Sequence, residues 1–148
     1  MPARQLSPLA SFKRLHLSAR AGADRCLGPH GLSAAQFGVL RLLADDPGLT
    51  GAELARRSSV TSPSMNETLA MLLRNDLVSR RPDPRGGRAI QLFISPAGRS
   101  VLDRTLPLLL EYSDHLLSDI DPERLAAFFD VLDLVTRRAE AARRGDVS

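Results

Sequence analysis

The chain has 148 residues, with 20 lysines and arginines against 17 aspartates and glutamates, for a formal charge of +3. That length suits a single domain with a real core, and no apolar run approaches the roughly 18–20 residues of a membrane span. The single cysteine, Cys26, rules out an intrachain disulfide and any cysteine-rich metal site. The histidines, His16, His30 and His115, lie too far apart in sequence for metal-ligand spacing. Lys13 is the sole lysine. The arginine excess is a mild bias toward anionic partners and fits a compositional bias of the genome equally well. The first stretch, MPARQLSPLASFKRLHLSAR, lacks a continuous hydrophobic region and an export-type cleavage site, so mature sequence and a cytoplasmic location are expected.

From Pro8 to about Leu27, apolar residues at Leu9, Phe12, Leu15, Leu17, Ala21 and Leu27 keep a loose helical period. Gly28-Pro29-His30-Gly31 breaks it. Ser33 caps a helix over Ala34 to about Ala44, with Phe37, Leu40 and Leu43 on one face. Asp45-Asp46-Pro47-Gly48 ends that helix. Thr50-Gly51-Ala52-Glu53 has the form of a capping box for a short helix to Arg57. After the turn Ser58-Ser59-Val60, either Thr61 or Ser62 caps the next helix, and Pro63 fits its first turn, where a missing N–H costs nothing. Met65, Leu69, Leu72 and Leu73 form the inward stripe of this helix. Ser64, Asn66, Glu67, Ala70 and Arg74 lie on its other side, and Asn75-Asp76 ends it.

The next stretch, DLVSRRPDPRGGRAIQLFIS, reads as a strand, a tight loop and a returning strand. Pro82, Pro84, Gly86 and Gly87 break the first run, and Ala89–Ile94 is rich in residues that suit a pleated surface. Arg80, Arg81, Arg85 and Arg88 flank or sit on the loop. Guanidiniums at a hairpin tip can reach phosphate oxygens or enter a minor groove. Ser95-Pro96 then opens a long helix whose Val101, Leu102, Leu106, Leu108, Leu109, Leu110, Leu116 and Leu117 exceed one stripe. Pro107 inside it is expected to kink it. Asp121-Pro122 starts a last helix, about Glu123 to Ala142, presenting Leu125, Phe128, Phe129, Leu132, Leu134 and Val135 and ending in arginines.

The expected fold is mainly α with a small β-hairpin wing, in the order α-α-α-α-β-β-α-α, a short extra strand being possible. One domain spans 1–148. A winged helix-turn-helix lobe covers 33–95, and a helical dimerisation region covers 5–30 and 96–144. Helix followed by basic hairpin suggests DNA binding. The surplus apolar surface of the first and last two helices suggests burial against a second copy. Paired carboxylates, a glycine-rich phosphate loop, a nucleophile elbow and a metal cluster are all missing from the sequence, so neither an enzyme nor a cofactor is expected.

The run from about Gly31 to Leu106 resembles the MarR family of winged-helix transcriptional regulators. It includes GLSAAQFGVLRLLADDPGLTGAELARRSSV and NDLVSRRPDPRGGRAIQLFISPAGRSVL. Asp83-Pro84-Arg85-Gly86-Gly87-Arg88 resembles the family's wing signature, with Asp83 matching its aspartate and Arg88 its arginine. ISPAGRSVL resembles the entry to its dimerisation helix. The resemblance implies a homodimer with interlocked terminal helices, reading a palindromic site on double-stranded DNA, more often as repressor than activator. It also implies a crevice for a small, often phenolic, effector, for which His16, His30, Arg41, Tyr112 and His115 are candidate lining residues.

The expected DNA contacts are Ser62, Ser64, Asn66, Glu67 and Arg74 from the helix, and Arg85 and Arg88 from the wing. Asn can pair bidentately with adenine, and Glu can accept from cytosine N4. Ser62 is alternatively a cap. Arg88 is alternatively an internal partner of Asp83 that holds the loop, while Gly86 and Gly87 supply positive backbone dihedrals. Relatives commonly carry a basic residue near Glu67 and another near Ser62; here the pattern departs. Two other readings stay open: a winged-helix protein-interaction module or regulator with weakened DNA binding, and a redox sensor using Cys26. Cys26 lies near the end of the first helix, and Tyr112 is the only tyrosine.

Overall fold

The structure, a computed structural model, describes residues Ser7–Gly145. Among them run α1 (Pro8–Leu27), a 3-10 turn (Gly28–His30), α2 (Ala34–Asp45), β1 (Leu49–Thr50), α3 (Gly51–Arg57), α4 (Ser62–Arg74), β2 (Val78–Pro82), β3 (Ile90–Ile94), α5 (Pro96–Leu117) and α6 (Pro122–Arg144). The expected element order holds, and β1 is the short extra strand. Residues 5 and 6, at the start of the expected helical dimerisation region, lie outside the described residues. Where the sequence suggests one domain over 1–148, the described residues divide inside α5, between Tyr112 and Ser113, into two compact units.

In the first unit the strands form an antiparallel sheet ordered β1-β3-β2. Leu49 pairs with Leu92, and β2 pairs with β3 from Val78–Ile94 through Arg80–Leu92 to Pro82–Ile90. Facing residues of an antiparallel ladder share a face and successive residues alternate. Arg80 therefore points to the side of buried Leu92, and Arg81 to the opposite side. On that opposite side the Arg81 guanidinium lies 4.8 Å from the centre of the Phe93 ring, within cation–π range.

The core of the first unit collects apolar side chains from α1 through the start of α5. Leu27, Leu40, Leu43, Leu54 and Leu72 are fully buried, each stabilising by about 1.5–3 kcal/mol relative to exposure. Val101 and Leu102 bring the start of α5 into the same cluster. The helix ends are closed as their sequences suggest. Ser33 and Gln36 complete a capping box on α2, and Asp24 of α1 adds a bond from outside the helix, its Oδ1 accepting the Ala34 N–H at 2.6 Å. Ser95 Oγ accepts from Gly98 N at 2.9 Å and donates to the Asp76 carbonyl at 2.6 Å. α5 continues through Pro107. In the turn before it, the buried Thr105 hydroxyl donates to the Val101 carbonyl at 2.7 Å.

The outer faces of α1 and α6 contrast with this core. Leu9, Phe12, Leu15 and Leu17 of α1 are exposed. In the second unit no side chain of α6 is fully buried, and Phe128, Phe129, Val131 and Leu134 stand in solvent. Phe128 and Phe129 meet edge to face at 5.4 Å. Asp121 caps α6, accepting from the N–H groups of Glu123 and Arg124 at 3.1 Å each.

Candidate nucleic-acid interface

The surface built by α3, α4 and the β2–β3 hairpin starts with a well-satisfied cap. Thr50 N donates to Glu53 Oε2 at 2.7 Å, and Glu53 N donates to Thr50 Oγ1 at 3.3 Å. The Thr50 backbone N–H, and then its hydroxyl, hold the Glu53 carboxyl below the usual carboxylate range. The chain leaves α3 through Ser59, a non-glycine residue at φ +53°. It enters α4 at Thr61, whose Oγ1 accepts from Ser64 N at 3.3 Å. Thr61 is thus the cap, and Ser62, the other candidate, is an exposed first-turn residue without that bond.

α4 is amphipathic as its spacing implies. Met65, Leu69 and Leu72 are buried, whereas Ser62, Ser64, Asn66, Glu67, Ala70 and Arg74 are all exposed. Arg74 Nη1 donates to Met71 Sδ at 3.3 Å, so its guanidinium lies back along the helix. Between α4 and the sheet runs a groove of about 350 Å³, lined by Gly51, Asn66, Leu69, Ala70, Leu73, Arg80, Ile90 and Leu92. Arg80 reaches this groove because the register places it on the Leu92 face of β2.

The wing turns on Asp83. Its carboxylate is only 4% exposed and accepts from the Arg85 backbone N–H at 2.9 Å, from Arg85 Nε at 3.1 Å and from Arg85 Nη2 at 2.7 Å. Asp83 N donates to the Ala89 carbonyl, and Gly86 N to the Asp83 carbonyl, closing the loop. Gly86 and Gly87 sit at φ +85° and +84°, the left-handed region expected of them, where a Cβ is strained. The Arg85 side-chain hydrogen bonds, followed by its backbone N–H, pull the Asp83 carboxyl below its ordinary value, and Asp83 raises Arg85 in return. The internal partner of Asp83 is therefore Arg85, not Arg88. Pro84 between them lets an Asx-type turn fold the i+2 guanidinium onto the carboxylate. The clamp leaves Arg85 77% exposed; Arg88 is exposed and makes no ion pair among the described residues.

None of the residues expected around an effector crevice lines the groove. Arg41 pairs with Asp45 at 3.2 Å. His16, His30 and His115 are exposed. Tyr112 Oη donates to the Ala19 carbonyl at 3.1 Å, and its ring lies where a Cβ on Gly22 would stand. No sequence signal connects positions 90 residues apart, although a glycine inside a helical pattern hints at a close neighbour. Cys26 is a half-buried free thiol. Among the described residues no cluster of three or more His, Cys, Asp or Glu could hold a metal ion, and no helix is long and apolar enough to cross a membrane.

A capped short helix, a turn, a second helix with an open outer face and a basic hairpin together make a winged helix-turn-helix. The family model for MarR proteins matches residues 30–89. The HTH-type transcriptional repressor YetL of Bacillus subtilis is 34% identical, the match covering 68% of this chain and 70% of that protein. The chain belongs to the MarR family. The HTH-type transcriptional repressor Rv2887 of Mycobacterium tuberculosis is 36% identical over 85 residues, a match spanning 57% of this chain and 61% of that protein's length. The solved structure of Rv2887 in complex with salicylic acid superposes over 90% of this chain and 98% of that chain, with TM-score 0.70 and 27% identity. Apo MarR from Escherichia coli shares the fold over 88% of this chain and 98% of its own, with TM-score 0.75 at 21% identity.

Proposed function

We propose that this chain is a homodimeric, sequence-specific DNA-binding regulator that represses transcription in the cytoplasm, is released by a small effector and performs no catalysis. The observation that carries this reading is the Asp83–Arg85 clamp. A guanidinium held at a hairpin tip by a buried carboxylate, yet 77% exposed, is pre-aimed at an anionic partner, so less side-chain freedom is lost on contact. Arg88 offers a second cation on the same loop. The exposed row of α4 is free to enter a major groove, with Ser62, Ser64, Asn66 and Glu67 in its N-terminal half, where such helices meet base edges. Gly86 and Gly87 shape the wing.

Dimerisation is supported by the uncovered apolar residues of α1 and α6, which exceed what a solvated helix needs. Two lobes related by a two-fold axis would address half-sites of a palindrome about 10 bp apart, centre to centre. For the effector, the salicylic acid of the Rv2887 complex supports a small aromatic carboxylate. The groove beside α4 favours the same class, since Arg80 offers a cation and Leu69, Leu73, Ile90 and Leu92 an apolar wall. Asn66 belongs to both the groove and the exposed face of α4, so an occupant there would compete with DNA for it. The alternative crevice residues are His16, His30, Arg41, Tyr112 and His115.

Footprinting of the purified protein on duplex DNA from upstream of its own gene tests the reading. A protected palindrome, seen with a dimer in solution and weakened by salicylate, is the expected result. A dimer that protects no DNA at low salt would turn the surface over to a protein partner, the reading that an acidic residue on α4 favours.

A further inference from the structure

On α4 the inward side is set by Met65, Leu69 and Leu72. Glu67 is two positions from both Met65 and Leu69, about 160–200° around the helix from that side. It stands at the middle of the exposed row Pro63, Glu67, Ala70 and Arg74. Glu67 and Arg74 are the only charged residues of α4, and Arg74 is drawn back onto Met71. Glu67 itself makes no ion pair or hydrogen bond among the described residues. Asn66, by contrast, faces the groove beside Arg80. The side chain aimed most directly away from the core is thus an acceptor-only group with no partner inside the lobe. All the arginines of the hairpin lie elsewhere.

We propose that Glu67 is the specificity-determining residue of each lobe, accepting a hydrogen bond from the N4 amino group of a cytosine in the major groove. This inference rests on the DNA-binding reading above. Cytosine offers only its N4 donor there, whereas adenine sets its N6 donor beside the acceptor N7, guanine offers the acceptors N7 and O6, and thymine offers O4 and a methyl group. A carboxylate is satisfied by the first and repelled by the others. The same charge repels phosphate, so Glu67 lowers affinity for any DNA that fails to supply the donor. Specificity comes from rejection as much as from contact.

Selection from a randomised duplex pool, run with wild type, Glu67→Ala and Glu67→Gln, tests this. Wild type is expected to enrich a cytosine at one position of each half-site and to lose about tenfold in affinity when that base pair is replaced. Glu67→Ala should flatten that position alone and bind unrelated duplex more tightly than wild type at low salt. Glu67→Gln should move the preference toward adenine, which presents a donor and an acceptor to an amide. Glu67 is exposed, so thermal unfolding of the variants should match wild type. An unchanged base profile in Glu67→Ala would overturn the assignment while leaving the DNA-binding reading intact. A wild type that enriches no sequence and binds no duplex at low salt would remove both.

Discussion

The two parts of the exposed surface are built on opposite principles. The wing concentrates Arg80, Arg81, Arg85 and Arg88 on one hairpin and commits a buried carboxylate to aiming one of them. The outer face of α4 carries one acid at its centre, one arginine at its far end, and otherwise small polar or apolar groups. Charge that attracts any phosphate backbone carries no sequence information, whereas a lone acceptor pointed into a groove attracts nothing until it meets a donor. The proposed division of labour follows: the wing supplies attraction, and α4 supplies discrimination.

The largest effect should come from the platform on which both parts stand. Leu72→Ala removes a fully buried side chain of α4 and should cost about 2–5 kcal/mol, read as a lowered denaturation midpoint. Because α4 and the sheet share this core, DNA binding should fall in parallel with the folded fraction. Next comes Arg85→Ala, which removes the side-chain half of the Asp83 clamp and leaves the apolar core untouched. It should weaken binding to every sequence alike and reduce the salt slope by about one per protomer. A loss confined to certain base pairs would mean that the wing reads sequence, breaking the comparison. Smaller still, Thr61→Ala removes the α4 cap and should cost about 1 kcal/mol, measured by chemical denaturation. Gly86→Ala, at φ +85°, should lower DNA affinity with about 1 kcal/mol of destabilisation from the strained left-handed backbone.

The smallest expected effect is that of pH. The Asp83 carboxyl is held below its ordinary value by Arg85. A depressed carboxylate contributes its stability fully above the unfolded value and loses it as pH falls through the lowered folded value. The clamp should therefore be constant from neutral pH down to about pH 5 and fail only below the ordinary carboxylate range. Circular dichroism and DNA affinity measured across that interval check this; a break near pH 6 would point to a different group.

Much of this layout is legible in the residues because it is local. The Thr50–Glu53 box, the prolines at helix starts, the Met65–Leu69–Leu72 stripe and the paired glycines each fix structure within a few positions. What escaped is mostly non-local or too short to carry a period. β1, the possible extra strand whose place no pattern gives, has two residues and exists through its pairing with Leu92 and Gln91. The Tyr112–Ala19 bond and the ring over Gly22 join helices far apart in sequence, and Asp24 reaches the start of α2 from α1 across the connection between the two helices. The Asp83–Arg85 pair is a different case. It is local, but the family resemblance matches Arg88 to the signature arginine, whereas an Asx turn brings the i+2 residue, Arg85, closest to the carboxylate.

In the proposed function a wing-borne charge, aimed by Asp83, drives DNA binding. Affinity of wild type and Arg85→Ala for the same upstream duplex, measured over a salt series, tests it most directly. Wild type should show log affinity falling linearly with log salt as counterions are released, and Arg85→Ala should show a shallower line and weaker binding at low salt. Identical slopes for the two proteins, or wild-type binding insensitive to salt, would contradict it.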